Sequence, residues 1–304
     1  MDTSANEVQF PALPIEEWED TKNTLHLFLQ IVGKIRLYYF PRKNHWWHAP
    51  LYISTHGLTT GLIPHGDNPF ELEFDFINHN LVIKTGHGPM RFIALRGISV
   101  SEFYHAILAN LADLHIDITI DRPDPYDVPF SKEPFESDVA HSSYDKKYVH
   151  NYWRILVQVD SIFEEFRGRF TGKSTPPHLF WHHMDLALTR FSGKEAPARE
   201  GAGLVEREAY SHEVISFGFW AGDENVRAPA FYGYSAPVPE GLFLEPLLPA
   251  EAAWNKDAGM ALMMYDDIRE TGDPRQKILG FLESVYQAGA KCAGWDIEAF
   301  ELKG

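Results

Sequence analysis

The chain has 304 residues, of which 44% are hydrophobic and 23% are charged, and its formal net charge at pH 7 is −16. Both fractions are typical of a folded globular protein, so wholesale disorder is excluded. The acidic excess argues against a nucleic-acid partner, because affinity for a phosphate backbone depends largely on Lys and Arg.

The first half of the sequence predicts a long helix, then a sheet, then a second helix. Apolar residues recur at helical spacing over 18–35. Apolar and acidic residues alternate strictly over 70–76, which is typical of a strand with one buried face. Ser99 and Glu102 have the spacing of a capping box, so the second helix is predicted to begin there. The predicted strands between the two helices are 45–55, 70–77, 80–85 and 90–95.

The second half of the sequence repeats this order. Prolines and aspartates break the pattern over 121–143, which predicts a connector. A long helical pattern follows over 152–170, and Asp273-Pro274 is typical of the start of a closing helix. Residues 261–265 fit a strand and a helix equally well. The strands predicted between the two helices are 178–191, 212–220 and 230–234.

Local similarity between the halves supports a duplicated unit. Residues 29–32 resemble 157–160, and 45–48 are echoed by 178–181. We therefore predict an α+β fold in one globular domain, 1–304, with chance similarity as the alternative to duplication. Its two pseudo-repeats would be 15–121 and 144–297, each with a long helix, an antiparallel sheet and a closing helix. The pattern does not decide whether the two sheets pack face to face or join edge to edge.

Histidines are the first candidates for chemistry. The predicted strand parity places His45 and His178 at equivalent positions, each at the mouth of an aromatic and aliphatic strip. If a twofold axis relates the sheets, both imidazoles would approach one cleft as acid–base groups. The alternative is that both close the end of the core. Metal binding is not predicted, because residues three apart on a strand, such as His45 and His48, point to opposite faces.

The second half supplies further candidates. Arg190 lies in an apolar strand, where it would bind a carboxylate or phosphate or pair with a structural Glu. Asp185 shares a strand face with Thr189 and is a second catalytic candidate. His212 is a candidate general base on its own, because adjacent Ser, His and Glu residues lack the convergence of a catalytic triad. The residues expected to bind the ligand are Trp47, His48, Trp181, Tyr210, Ser211 and Glu213.

Standard nucleotide-binding loops are absent from the sequence. Gly172-Lys173-Ser174 lacks the glycine-rich run and the preceding strand of a phosphate-binding loop. No motif indicates a particular cofactor. The single cysteine, Cys292, fits a reducing compartment. The chain shows no signal peptide and no apolar run long enough to cross a bilayer, so we expect a cytoplasmic protein without a membrane partner.

Four strings of the sequence resemble bacterial proteins of the domain-of-unknown-function family 5996. They are 44–48, 143–145, 185–193 and 209–213. The resemblance extends from about Leu13 to Trp295 and implies a single domain over nearly the whole chain. It implies no activity. His182-His183 departs from the family's strings, which have small or polar residues at these positions.

These features lead to a functional hypothesis and two alternatives. The hypothesis is an enzyme acting on a small polar molecule in a cleft between the halves, with His45, His178 and His212 as acid–base groups and Arg190 orienting an anion. The first alternative is a non-catalytic module with an aromatic-lined pocket for a small ligand. The second is an interaction scaffold that forms a homodimer through an aromatic surface.

Overall fold

Two antiparallel sheets, each preceded and followed by a long helix, make up most of the computed structural model, which describes residues 10–198 and 201–302. The N-terminal half begins with α1 (Ile15–Tyr39) and ends with α2 (Val100–Asp113). Its strands pair in chain order, and they are β1 (Tyr52–Ile53), β2 (Gly57–Thr59), β3 (Phe70–Asp75), β4 (Asn80–Thr85) and β5 (Met90–Ala94).

The C-terminal half has a six-stranded sheet between α3 (Lys146–Gly168) and α6 (Pro274–Cys292). The strand order is β10-β11-β9-β8-β7-β6. The strands are β6 (His178–Phe180), β7 (Asp185–Glu195), β8 (His212–Trp220), β9 (Ala230–Ala236), β10 (Ala253–Asn255) and β11 (Met260–Met264). Three short helices complete the half, namely α4 (Leu204–Ala209), α5 (Tyr265–Ile268) and α7 (Ile297–Phe300).

The two sheets join edge to edge. Leu51, immediately before β1, exchanges two backbone hydrogen bonds with Leu179 of β6, with N···O distances of 2.9 and 2.8 Å. Because β1 and β6 are the outermost strands of their sheets, this bridge continues one sheet into the other. The structure thus decides between the two arrangements that the sequence left open.

The long helices of the C-terminal half cover one face of its sheet. On this face Phe217 contacts Phe166 of α3 at a ring distance of 5.0 Å, and Gly233 lies directly under Val285 of α6. The opposite face, here called the outer face, consists of alternate residues in β7, β8 and β9. They are Asp185, Ala187, Thr189 and Phe191, their partners Val214, Ser216 and Gly218, and next to these Tyr232, Tyr234 and Ala236.

Several local predictions are confirmed. Ser99 and Glu102 form the capping box of α2, and Asp273 caps α6 with proline at its first turn. The connector 121–143 contains neither helix nor strand. The ambiguous segment near 261–265 belongs mostly to strand β11. The two helix caps depend on residues close together in the chain.

Two strand predictions are wrong in ways that affect the site. Residues 44–46 form a single 3₁₀ turn, and the strand expected at 45–55 is reduced to the two residues of β1. The strand expected at 178–191 is a hairpin, because the turn 181–184 separates β6 from β7. His45 is therefore not on a strand, and the strand parity that equated it with His178 does not apply. The duplicated-unit interpretation stays a prediction.

Candidate functional site

The loop 40–50, which connects α1 to β1, contains two consecutive residues with left-handed backbone conformation. His45 has a φ of 53° and Trp46 has a φ of 60°. Each such non-glycine residue costs about 1 kcal/mol or more and persists only where surrounding contacts hold it, which is common at functional sites. The His45 side chain is held in the C-terminal half, against the end of α4. The loop thus brings an imidazole from one half of the chain into the other.

The hydrogen bonds of His45 fix its tautomer. Its Nδ1 lies 3.2 Å from the carbonyl oxygen of Glu208 and 3.3 Å from that of Ala209. Both partners are acceptors only, so Nδ1 carries the proton and Nε2 has the free lone pair. Nε2 accepts a hydrogen bond from Lys173 Nζ at 2.9 Å. Burial and the nearby Lys173 charge lower the pKa of His45, which keeps the imidazole neutral.

Aromatic rings surround the contact between Lys173 and His45. The Lys173 ammonium lies 5.1 Å from the ring centre of Trp47 and 4.9 Å from that of Phe191. The His45 ring contacts the same two rings at 5.3 and 4.7 Å. Lys173 itself remains exposed to solvent, although partial burial lowers its pKa. The contact is thus enclosed on two sides and accessible to a small molecule.

A second histidine lies beside His45. The ring centres of His45 and His212 are 5.4 Å apart. The Ser211 hydroxyl donates to the Glu208 carbonyl oxygen at 3.0 Å, so it accepts from His212 Nδ1 at 3.1 Å. Ser211 thus orients the His212 ring through its Nδ1. His45, His212, Ser211 and Lys173 thus form one cluster.

A row of paired polar side chains continues from this cluster along the outer face. The hydroxyls of Tyr210 and Tyr234 are 2.8 Å apart, and Thr189 contacts Ser216 at 2.7 Å. Further along, Tyr232 donates a hydrogen bond to Asp185 Oδ2 at 2.6 Å. Burial raises the pKa of Asp185 and also that of Tyr232. Asp185 is six residues along β7 from Phe191, roughly 20 Å, so it is not part of the His45 cluster.

His178 also lies away from His45. It pairs with Ala187, four residues along β7 from Phe191, which is roughly 13 Å. Its ring contacts Phe180 at 4.7 Å and Tyr52 at 6.4 Å. Burial, together with the charge of Arg36, lowers the pKa of His178 to about 3. His178 thus has different ring neighbours from His45, and the shared cleft stays a prediction.

Arg190 points into the core, on the face opposite to Asp185. Its guanidinium carbon lies 3.5, 4.4 and 4.9 Å from the ring centres of Phe166, Tyr286 and Phe170, and Nη2 donates to the Phe166 carbonyl oxygen. Burial lowers its pKa to about 10. Aromatic faces and a backbone carbonyl accommodate this charge. An anion held by Arg190 would not reach His45, so the proposed orienting role has no geometric support.

Three of the expected ligand-binding residues already have partners within the protein. Trp181 Nε1 donates to the Ala49 carbonyl oxygen at 3.0 Å, and its indole occupies the space above Gly33 of α1. His48 Nδ1 accepts from the Lys43 amide at 3.2 Å, and Glu213 accepts from the Trp295 indole at 3.1 Å. Their ligand-binding role stays a prediction, whereas Trp47, Tyr210 and Ser211 do border the cluster.

Lys173 is the residue that sequence reasoning missed. It was considered only as part of Gly172-Lys173-Ser174, a poor match to a phosphate-binding loop. Its backbone carbonyl accepts from the Phe191 amide at 3.0 Å, which aligns the segment beside β7 and aims the side chain at His45. No local pattern reveals this contact, because His45 precedes Lys173 by 128 residues.

Comparisons with known proteins place the chain in a family. Within the described ranges no helix is both long and apolar enough to span a bilayer, and no three His, Cys, Asp or Glu side chains converge into a metal site. No curated protein and no solved structure matches the chain. A family model matches residues 10–302, almost the whole chain, and confirms the resemblance seen in the sequence. The chain belongs to the family of unknown function DUF5996.

Proposed function

We propose that this protein is an enzyme that acts on a small polar molecule at the contact between loop 40–50 and the C-terminal sheet, with His45 as the general base. One observation carries the proposal. The Nδ1–H of His45 is held by two backbone carbonyls, while Nε2 faces Lys173 Nζ at 2.9 Å. A base oriented by a third group and directed at a potential proton donor is the arrangement that acid–base and nucleophilic catalysis require.

The neighbours of His45 fit the same role. His212 presents a second imidazole, whose Nδ1 is bound to Ser211. Trp47 and Phe191 form apolar walls, which strengthen electrostatic interactions by excluding water. A small molecule entering beside Lys173 would meet a cation and two imidazole rings within one partly enclosed space.

We also infer that 15–121 and 144–297 are diverged copies of one unit and that the protein is cytoplasmic. Helices of 25 and 23 residues precede the two sheets, and α2 and α6 follow them. The bridge between Leu51 and Leu179 is antiparallel, which is the arrangement that a twofold axis perpendicular to the joined sheet would produce. The composition of the chain supports a cytoplasmic location, because a single cysteine is typical of proteins in a reducing compartment.

A non-catalytic ligand-binding module is the second candidate. It is favoured by a row of aromatic rings on the outer face, where Trp220 lies 5.6 Å from Tyr232 and Tyr232 stacks on Tyr234 at 6.0 Å. Asp185 supplies a hydrogen-bonding group beside this row. Flat rings next to polar groups suit a sugar-like ligand. If the protein is such a module, it would consume no compound, and the residues affected by ligand binding would be Tyr232 and Tyr234.

To test the enzyme proposal, the protein is incubated with a panel of small polar metabolites, and one-dimensional NMR measures the consumption of each metabolite. We expect His45→Gln to lower the rate by about 100-fold or more, because a general base contributes roughly 10²–10⁴. His87→Gln, at an exposed histidine, is the control and should keep the full rate. A metabolite consumed equally fast by wild type and His45→Gln would overturn the assignment.

A further inference from the structure

Lys173 differs from the lysines that form ion pairs in the partner that its Nζ meets. Lys84, Lys277 and Lys291 each contact a glutamate carboxylate. Across 10–198 and 201–302 no carboxylate forms an ion pair with Lys173, and the hydrogen-bond acceptor at its Nζ is the neutral imidazole of His45. A carboxylate stabilises an ammonium as an ion pair, whereas an imidazole lone pair can take its proton and leave a free amine.

We propose that Lys173 is the nucleophile of the site and forms a Schiff base with a small aldehyde or ketone, with His45 as its proton acceptor. The proposal deepens the proposed function and rests on His45 being a general base. Its geometry is that of an activated nucleophile: the amine and the base are 2.9 Å apart, and the Glu208 and Ala209 carbonyls orient the base.

The protons of this step are exchanged between Lys173, His45 and the carbonyl compound, and their number balances. Lys173 gives one ammonium proton to His45 Nε2, and the free amine adds to the carbonyl carbon while the C=O electron pair moves to oxygen. That oxygen takes a proton from the new nitrogen, which gives a neutral carbinolamine. The His45 imidazolium then returns its proton to the hydroxyl group, the C–O bond breaks, water leaves, and the nitrogen lone pair forms the C=N bond. An ammonium and a carbonyl thus become an iminium and water, without an oxidant or reductant.

The aromatic enclosure suits the charge of this product. The iminium, like the ammonium, is a cation, and it forms where Trp47 and Phe191 lie 5.1 and 4.9 Å from Nζ. The faces of aromatic rings at this distance attract a cation. Partial burial of Lys173 lowers its pKa and raises the fraction of free amine at neutral pH. The exposed side of Lys173 leaves a route for the carbonyl compound.

Reductive trapping on the full-length protein tests the proposal. The protein is incubated at pH 7 with pyruvate or dihydroxyacetone and sodium cyanoborohydride, and the modified lysines are located by peptide mass spectrometry. Lys194 is the internal control, because it lies at the exposed end of β7 and donates to a backbone carbonyl. We expect Lys173 to be modified at least about tenfold faster than Lys194, because His45 Nε2 lies 2.9 Å from Lys173 Nζ and can take its proton, whereas the carbonyl that Lys194 meets cannot.

Two variants complete the design. His45→Gln should reduce trapping at Lys173 to the rate at Lys194, while His87→Gln should leave it unchanged. Equal rates at Lys173 and Lys194 in the wild type would overturn the nucleophile assignment even if a variant failed to fold. Metabolite turnover that depends on His45 without any trapping at Lys173 would contradict the Schiff-base proposal but not the role of His45 as general base. Fast trapping at Lys173 that is insensitive to His45→Gln would contradict both proposals.

Discussion

The carboxyl groups of this protein differ strongly in whether their surroundings stabilise or destabilise the ionised form. Salt bridges and backbone amides hold the pKa of several surface acids below the usual range, as Arg227 does for Glu19. Asp160 of α3 is the opposite case. Burial, with a smaller contribution from the nearby Glu164, raises its pKa from 3.8 to about 6. At neutral pH the folded protein therefore contains an ionised carboxylate that its surroundings disfavour.

Replacing this carboxylate should stabilise the protein in a pH-dependent manner. An acid with a raised folded-state pKa weakens the fold above that pKa and has no effect below the unfolded-state value near 4. We expect Asp160→Asn to raise the free energy of unfolding at pH 7 by about 1–2 kcal/mol, after allowance for solvent screening of a half-buried group. The gain should fade as pH decreases from 6 to 4.

Urea unfolding at pH 7 and at pH 4 measures this difference. Asp257→Asn, in the exposed turn between β10 and β11, is the control and should change stability by less than about 0.5 kcal/mol at both values. An Asp160→Asn variant with the same gain at pH 4 as at pH 7 would show that the effect comes from packing and not from charge.

Individual helices and strands were predictable where short-range interactions define them. The α2 capping box depends on residues three apart, so its spacing is visible in the sequence. The wrong strand at 45–55 shows the limit. There the backbone follows contacts of His45 with Glu208 and Ala209, more than 160 residues away, and these contacts override the local preference for a strand.

The capping box also makes a stability prediction for α2. Ser99 accepts from the Glu102 amide at 3.2 Å, and Glu102 Oε2 accepts from the Ser99 amide at 2.7 Å. Ser99→Ala should destabilise the protein by about 1 kcal/mol, because it leaves an amide of the first turn without its acceptor. Differential scanning calorimetry can measure this loss. Ser142→Ala, at an exposed serine in the preceding connector, should leave the melting temperature almost unchanged; an equal loss in both variants would contradict the capping role.

The two halves of the molecule should unfold together if the bridge between them is as stable as the two sheets themselves. Sequence patterns predicted the order of helices and strands in each half but not this bridge, because Leu51 and Leu179 are ordinary apolar residues without a pairing signal. The same limit explains why Lys173 escaped notice. The site lies where loop 40–50 meets the C-terminal half, and only the arrangement of the halves brings these residues together.

Native-state hydrogen exchange can measure the strength of this bridge. If both halves unfold together, the Leu51 and Leu179 amides exchange only on global unfolding. Their opening free energies should then lie within about 1 kcal/mol of those of Leu72 in β3 and Phe217 in β8. Markedly faster exchange at the bridge, with protection retained in both sheets, would show that the halves unfold separately.

The bridge has a further consequence for any cleavage of the chain. A cut within 121–143 yields two fragments, each with its own sheet, in which the edge strand β1 or β6 has lost its neighbour. A bare edge is a template for pairing, and the complementary fragment fits this edge best. Fragments made in this way are suited to reassemble noncovalently, and the proposed catalytic pair would re-form with them, since His45 resides on one fragment and Lys173 on the other.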